Sequence, residues 1–200
     1  MARSGNSPAK QSTLRIIGGQ WRGRKLNFTP AEGLRPTPDR VRETLFNWLA
    51  PAINGARCLD LFAGSGALGL EAMSRGAVSC DFVDTSATAL RQIGQHLQTV
   101  QASAAGHCHS MPALTFLDRA SGPYDIVFAD PPFGKGLIGP ACSLLNSAGL
   151  VTAGGWIYIE TAASEPPPTV PQTWRLHRDK VAGEVAYRLF ERDRPSAAGD

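Results

Sequence analysis

Leu59-Asp-Leu-Phe-Ala-Gly-Ser-Gly-Ala-Leu-Gly-Leu-Glu71 carries an apolar run into Gly64-x-Gly66-x-x-Gly69 and out again into a helical pattern. Glycines at this spacing let the chain turn tightly and bring its backbone close to a ligand. The following helix offers free N–H groups at its start. Outward from the loop, short apolar runs alternate with amphipathic stretches: the pattern predicts strands at 58–62, 80–84, 124–130 and 156–160, and helices at 67–75, 87–100 and 137–147. Such alternation defines βαβ units, hence an α/β fold with a mostly parallel sheet and helices on both faces. The tail differs, because residues 174–181 and 185–191 flank Ala182-Gly183-Glu184 and read as an antiparallel hairpin closing one sheet edge.

Two acids give the loop a chemical character. Asp84 ends the next predicted strand, twenty residues after Gly64, where a carboxylate can accept both hydroxyls of a ribose. A nucleoside cofactor is therefore expected. The spacing also matches the dinucleotide fingerprint, so a nucleotide-binding oxidoreductase stays open as an alternative. Asp60, just ahead of the turn, favours S-adenosylmethionine, since a carboxylate there repels a pyrophosphate but receives the ammonium of a methionine moiety.

Asp130-Pro-Pro-Phe133 follows the strand predicted at 124–130 and belongs to the same crevice, because ligands of open α/β sheets bind beyond the carboxyl ends of the strands. The Asp130 side chain and a carbonyl of the stiff Asp130-Pro131-Pro132 segment can accept both hydrogens of one exocyclic amine while Phe133 stacks on its ring. That geometry frees the nitrogen lone pair to attack an electrophilic methyl group, with positioning as the main catalytic device.

Toward the N-terminus, residues 14–28 carry β-formers on either side of Gly18-Gly19 and read as a hairpin. A link over 29–36 leads to Thr37-Pro38-Asp39, read as a helix N-cap, a first-turn proline and a first-turn acid. Val41, Leu45, Trp48 and Leu49 continue that helix, and Pro51 stops it. Residues 1–42 hold nine Lys or Arg against Glu32 and Asp39, so this end carries +7 and the remainder of a chain of net charge +3 carries −4. Such asymmetry suits one face that meets a polyanion. The expected organisation is a disordered N-terminus over 1–13, a basic hairpin and link for RNA contact over 14–36, a catalytic domain over 37–193 and a disordered tail over 194–200.

Composition narrows the class further. A chain of 200 residues with 42% hydrophobic and 18% charged residues is a folded globular protein of about one domain. It has no apolar run long enough to cross a membrane and no secretory pattern, so a cytoplasmic protein is expected. Cys58, Cys80, Cys108 and Cys142 lack paired spacing and read as reduced core residues. His107-Cys108-His109 is not read as a metal site, because neighbours on an extended chain face opposite sides.

Taken together, Arg15-Ile-Ile-Gly-Gly-Gln-Trp-Arg-Gly-Arg-Lys25, Leu34-Arg-Pro-Thr-Pro-Asp-Arg-Val-Arg-Glu-Thr-Leu-Phe46, the Asp60–Gly69 loop, Asp130-Pro-Pro-Phe133 and Val181-Ala-Gly-Glu-Val-Ala-Tyr187 resemble the bacterial 16S ribosomal RNA guanine-N2 methyltransferases. These are class I S-adenosylmethionine-dependent enzymes, and the likeness runs from Leu14 to about Arg192. It implies a Rossmann-like, seven-stranded sheet with one antiparallel strand, a basic N-terminal hairpin that grips RNA, and methylation of one guanine N2 in small-subunit RNA. By the same resemblance Asp60, Phe62, Gly64, Ser65 and Gly66 would hold the methionine end of the cofactor, and Asp84 with Thr85 the ribose. Asp130, Pro131, Pro132 and Phe133 would hold the guanine. Arg15, Arg22, Arg24, Lys25, Arg35 and Arg40 would contact RNA, and Thr37 would lie near the cofactor. Where the family places Asp or Asn for adenine, this chain has His109-Ser110-Met111-Pro112, which leaves Ser110 or a backbone N–H for that contact. The expected partner is 16S ribosomal RNA in the small subunit or its assembly intermediate, with no metal, no membrane and a monomeric enzyme. Rival readings are amino-methylation of adenine N6 or cytosine N4 in DNA, the oxidoreductase, and a non-catalytic ribosome assembly factor.

Overall fold

The computed structural model describes residues 12–29 and 37–194. Residues 1–11 and 195–200 of the termini expected to be disordered, most of the link and Arg35 lie outside those residues, whereas Ser12 and Thr13 are ordered in a strand. Two strands, β1 (Ser12–Arg15) and β2 (Lys25–Phe28), pair antiparallel as the predicted hairpin. The main sheet is built from β3 (Arg57–Asp60), β4 (Ser79–Asp84), β5 (Gly106–Ser110), β6 (Tyr124–Ala129), β7 (Val151–Ala162), β8 (Trp174–Ala182) and β9 (Val185–Arg192). Its order is β5-β4-β3-β6-β7-β9-β8, and β9 is the one strand that runs against the rest.

Among the described residues five helices cover this sheet: α1 (Asp39–Trp48), α2 (Ala67–Ser74), α3 (Ala87–Thr99), α4 (Ala113–Leu117) and α5 (Ile138–Ser147). Alternate strand residues face opposite sides. Cys58, Phe82, Phe128 and Tyr158 pack with α1, α2 and α3, while Leu59, Val83, Val127 and Ile157 pack with α4 and α5. From β3 the chain steps outward through β4 to β5, then returns to place β6 on the other side of β3. This reversal opens a crevice between the carboxyl ends of β3 and β6, where ligands of doubly wound sheets bind.

Three sequence expectations change. Thr37 does not cap α1: Pro38 takes the N-cap position and no side chain bonds the helix start, because the Thr37 hydroxyl is turned inward toward two carboxylates. Cys108 is exposed on edge strand β5 and is not a core residue. Asp125 and His177, for which the sequence offers no partner, do have one: Asp125 accepts from the Arg57 N–H and the Thr152 hydroxyl, and the His177 ring meets Trp156 edge-on.

The basic hairpin is bolted to the body. Its Leu14, Ile16, Trp21, Leu26 and Phe28 are buried in the same core as α1, α2 and α3. Glu71, fully buried on α2, accepts from the Ile17 and Gly18 N–H groups at 2.8 Å each and from Arg75 Nε at 2.7 Å. Arg42 stands across from it, with its Nη1 3.7 Å from Glu71, while its Nη2 donates to the Arg15 carbonyl and to Asp39. Arg42 is only 1% exposed, so one of the nine basic residues ties the hairpin down and does not face solvent. Ser74 adds two bonds, donating to the Gly18 carbonyl and accepting from the Trp21 N–H. Glycine is required at 19, where φ is +77° and a Cβ would lie 1.8 Å from the Ser74 carbonyl oxygen.

Candidate active site

Four carboxylates stand at the carboxyl edge of four adjacent strands: Asp84 on β4, Asp60 on β3, Asp130 just beyond β6 and Glu160 on β7. The register fixes this row, since Asp60 pairs with Phe82 and Phe128, and Ala129 pairs with Ile159. Three were predicted from the sequence; Glu160 was not.

Asp60 is 3% exposed, and its Oδ2 accepts from the Gly69 N–H at 2.9 Å, which ties the strand end to the first turn of α2. Burial pushes its pKa up to about 7, partly offset by the Gly69 bond and reinforced by the Asp130 and Asp84 charges. Gly64 and Gly66 take positive φ values of 51° and 76°, and a Cβ on Gly66 would press on Ile93 at 2.9 Å. Asp84 clamps the loop, with Oδ2 accepting from the Gly64 N–H at 2.8 Å and Oδ1 from the Ser86 N–H at 2.7 Å. Each oxygen keeps a second lone pair for an incoming hydroxyl.

A cleft of about 40 Å³ opens beside this clamp, lined by Phe28, Thr29, Gly64, Ser65, Asp84, Ser86, Ala89 and Gln92. The hairpin therefore supplies one wall, fixed by the Thr29 N–H on Gln92 at 3.2 Å; no sequence signal tied Phe28 or Thr29 to this site. Thr85 is exposed beside Asp84, and Ser110, the register partner of Asp84, is exposed at the end of β5. Phe62 is half-buried against the α4 and α5 side. His109 is committed elsewhere, its Nε2 lying 2.7 Å from Asp81 and its ring against Phe116.

Asp130 opens the second half of the crevice. Burial pushes its pKa up to about 6, while a 3.3 Å bond from the Thr37 hydroxyl works the other way. Pro131 is buried, Pro132 is exposed, and Phe133 keeps 43% of its surface in solvent. An apolar ring held out beside a buried acceptor is suited to stacking.

A larger cavity of about 200 Å³ lies between the hairpin and α1, lined by Arg15, Ile17, Arg22, Asp39 and Glu43. It lies away from the strand ends and has a charged rim, so the smaller cleft at the glycine loop is the better cofactor site. Arg22, Arg24, Lys25 and Arg40 are exposed around the same end of the molecule.

The fold and this site together define a class I methyltransferase: a doubly wound sheet with antiparallel β9, a glycine loop after its first parallel strand, and an acid ending the next. The chain belongs to the family described as Conserved hypothetical protein 95, whose model matches residues 14–191. It is 51% identical over 180 residues to Ribosomal RNA small subunit methyltransferase D of Escherichia coli (strain K12), covering 90% of each chain. The protein of the same name from Haemophilus influenzae is 43% identical over 188 residues, covering 92% of this chain and 97% of its own. The solved yhhF structure from Escherichia coli superimposes with a TM-score of 0.83 at 49% identity, covering 92% of this chain and all of that one. The kinship read from the N-terminal and Asp130-Pro-Pro-Phe133 markers is thus borne out.

Proposed function

We propose that the protein transfers a methyl group from S-adenosylmethionine to the exocyclic N2 of a guanine in 16S ribosomal RNA of the small subunit. The methyltransferase relatives support the reaction class and the RNA. One observation carries the cofactor and the amine: Asp84, Asp60, Asp130 and Glu160 crowd one strand edge, and among the described residues none of them has an ion-pair partner. Burial first, and like charges in addition, raise the pKa values of Asp60 and Glu160, and a cationic ligand relieves the repulsive part. The pyrophosphate of a dinucleotide would add to it, which disfavours the oxidoreductase.

S-adenosylmethionine, when bound, supplies an electrophilic sulfonium methyl. Asp60, Phe62, Gly64, Ser65 and Gly66 are the residues for its methionine end, Asp84 and Thr85 for the ribose, and Ser110 for the adenine. Asp130 and a carbonyl of the Pro131-Pro132 segment accept the two N2 hydrogens, and Phe133 stacks on the guanine. With the cofactor bound, its sulfonium would supply the methyl group to the N2 lone pair and leave as the thioether, and Asp130 would take the proton released from N2. A pKa raised to about 6 makes Asp130 a better proton acceptor than an ordinary aspartate while leaving it ionised at neutral pH. The guanine enters from a loop or by flipping, since a paired base hides N2. Arg15, Arg22, Arg24, Lys25, Arg35 and Arg40 are the phosphate contacts.

Mass spectrometry of small-subunit RNA from a strain lacking the gene, with and without the gene restored, tests the reading. N2-methylguanosine should disappear at one position and return. A methyl group lost from adenine N6 or cytosine N4 instead, or none lost at all, defeats it.

Replacing Arg22, Arg24 and Lys25 together with Ala is expected to weaken subunit binding and reduce its salt dependence by about one unit of slope per lost contact. Cofactor affinity, read by calorimetry, stays unchanged, and an equal fall there would make the hairpin cations structural. Asp84→Ala has the opposite signature: the cofactor dissociation constant rises about 10- to 100-fold, the scale of a charged hydrogen bond, with little change in RNA binding. An unchanged constant would remove Asp84 from the site.

A further inference from the structure

We infer that the α1-facing side of edge strand β8, centred on Arg178 and Lys180, is a second RNA-binding surface. It holds phosphates of the strand that leaves the target guanine on the side away from the hairpin. The inference rests on the reading that small-subunit RNA is the substrate and enters at Asp130.

A bulge in β8 builds this surface. The strand reads Trp174-Arg-Leu-His-Arg-Asp-Lys-Val-Ala182, and plain alternation would put Arg175, His177 and Asp179 on one face with Arg178 and Lys180 on the other. The register against β9 shifts between Leu176 and Arg178, so that Arg175 pairs with Glu191 while Arg178 and Lys180 pair with Leu189 and Tyr187. Leu189 and Tyr187 point into the core shared with α1. One extra residue has therefore turned over everything that follows it. Arg178 and Lys180 join Arg175 on the α1 side, where the His177 ring lies 4.9 Å from that of Trp156. Asp179 is sent to the opposite side and accepts there from Arg188 Nε at 3.2 Å.

The charge gathered in this way is left open to an outside anion. Arg175, His177, Arg178 and Lys180 are all exposed. Arg175 is paired with Asp193 at 3.2 Å and Glu191 at 3.9 Å, but among the described residues no acid pairs with Arg178 or Lys180. Lys180 Nζ instead sits 5.8 Å over the Trp48 ring, which is stacked on Tyr187 at 5.5 Å. An aromatic face holds a cation in place without neutralising it. Arg178 donates to the His177 carbonyl at 2.9 Å and likewise keeps its net charge.

Its position matches a strand running out of the substrate pocket. Lys180 pairs with Tyr187 and Tyr187 with Glu160, so the stripe begins two strands, about 10 Å, from the row of carboxylates. It begins beside the half of the crevice that Asp130 opens, because β7 and β9 continue the sheet from β6. Arg178 and then Arg175 follow opposite every second residue of β9, at steps of about 7 Å. The hairpin stands on the other side, walling the cofactor half through Phe28 and Thr29. A base turned out of its strand rotates about its backbone, and phosphate contacts on both sides fix that backbone. Guarding an open sheet edge also calls for charge, but either sign on either face would serve; one sign on one face beside the substrate pocket is what a polyanion requires.

The test uses small subunits as substrate. Arg178→Ala combined with Lys180→Ala should raise KM for subunits about 10- to 30-fold and reduce the salt slope of subunit binding by about two units. Arg178→Glu alone keeps the edge charged but reverses its sign, and should raise KM about 10-fold or more. Arg119→Glu makes the same charge change at an exposed position just after α4, on the opposite side of the sheet, and should leave KM unchanged. In every variant kcat at saturating subunits and the cofactor dissociation constant should hold at wild-type values, since neither β8 side chain touches the reacting atoms. A wild-type KM for Arg178→Glu would make the stripe an edge guard only, and an equal rise for Arg119→Glu would make net charge the cause; either result overturns the inference. The substrate reading fails separately: wild-type enzyme that neither binds nor methylates small subunits defeats both, whereas full methylation by wild type and by the double alanine variant alike, at the same KM, defeats the β8 surface alone.

Discussion

Asp130→Ala is expected to lower methyl transfer to small subunits by about 10²- to 10⁴-fold, the range set by losing a positioned proton acceptor, while the cofactor still binds. Both parts follow from the same geometry. Asp130 is the acceptor that touches the reacting amine in the proposed complex, so its loss removes orientation and proton acceptance together. In the unliganded protein it costs stability, since its charge raises the pKa of Asp60 and of Glu160. The alanine variant should therefore melt no lower than wild type. Single-turnover methylation with labelled cofactor, beside calorimetry and thermal denaturation, gives all three readings. A variant that methylates within tenfold of wild type would exclude Asp130 from the chemistry.

The parts of the site that were legible in the sequence are those whose chemistry is local. Gly64, Gly66 and Gly69 announce a strand-to-helix turn by spacing alone, and the structure puts the first two at positive φ. Asp84 and Asp130 were legible because each ends a short apolar run, and Asp60 because it interrupts the run just ahead of the glycine loop. Glu160 obeys the same rule, closing the run predicted at 156–160, yet it stood in no motif. Its meaning depends on β6 and β7 being neighbours with Ala129 beside Ile159, a fact of tertiary register. Thr37 misled for the opposite reason: Thr-Pro-Asp is a good helix start in isolation, but a pair of buried carboxylates competes for the hydroxyl more strongly than one backbone N–H. The five-residue α4 was missed because a single turn and a half has no period to detect. Arg42 was counted in the +7 of the basic end, though not among the named RNA contacts, since composition cannot distinguish an exposed arginine from one only 1% exposed.

Glu71→Ala is expected to destabilise the fold by about 3–5 kcal/mol, because it removes the buried carboxylate facing Arg42 and leaves that guanidinium only the exposed Asp39 as its acid. In a chain of this length that corresponds to a Tm lower by roughly 10 °C. Two buried N–H groups, on Ile17 and Gly18, lose their acceptor at the same time, each an added cost. Glu71→Gln keeps an oxygen for one of them and is expected to fall between the two. The damage should be local first, with the Ile17 and Gly18 amides exchanging with solvent faster than those of β3 and β6. Function should follow the hairpin. Gly66 begins α2 at the cofactor loop, and Glu71 and Ser74 on the same helix hold the hairpin one and two turns later, so a single rigid element sets the distance between RNA grip and methyl site. Loosening it should raise KM for subunits more than it lowers kcat. An unchanged Tm for Glu71→Ala would mean that apolar packing and the Ser74 and Arg42–Arg15 bonds hold the hairpin without Glu71, and Glu71 would no longer be the fastening between the two sites.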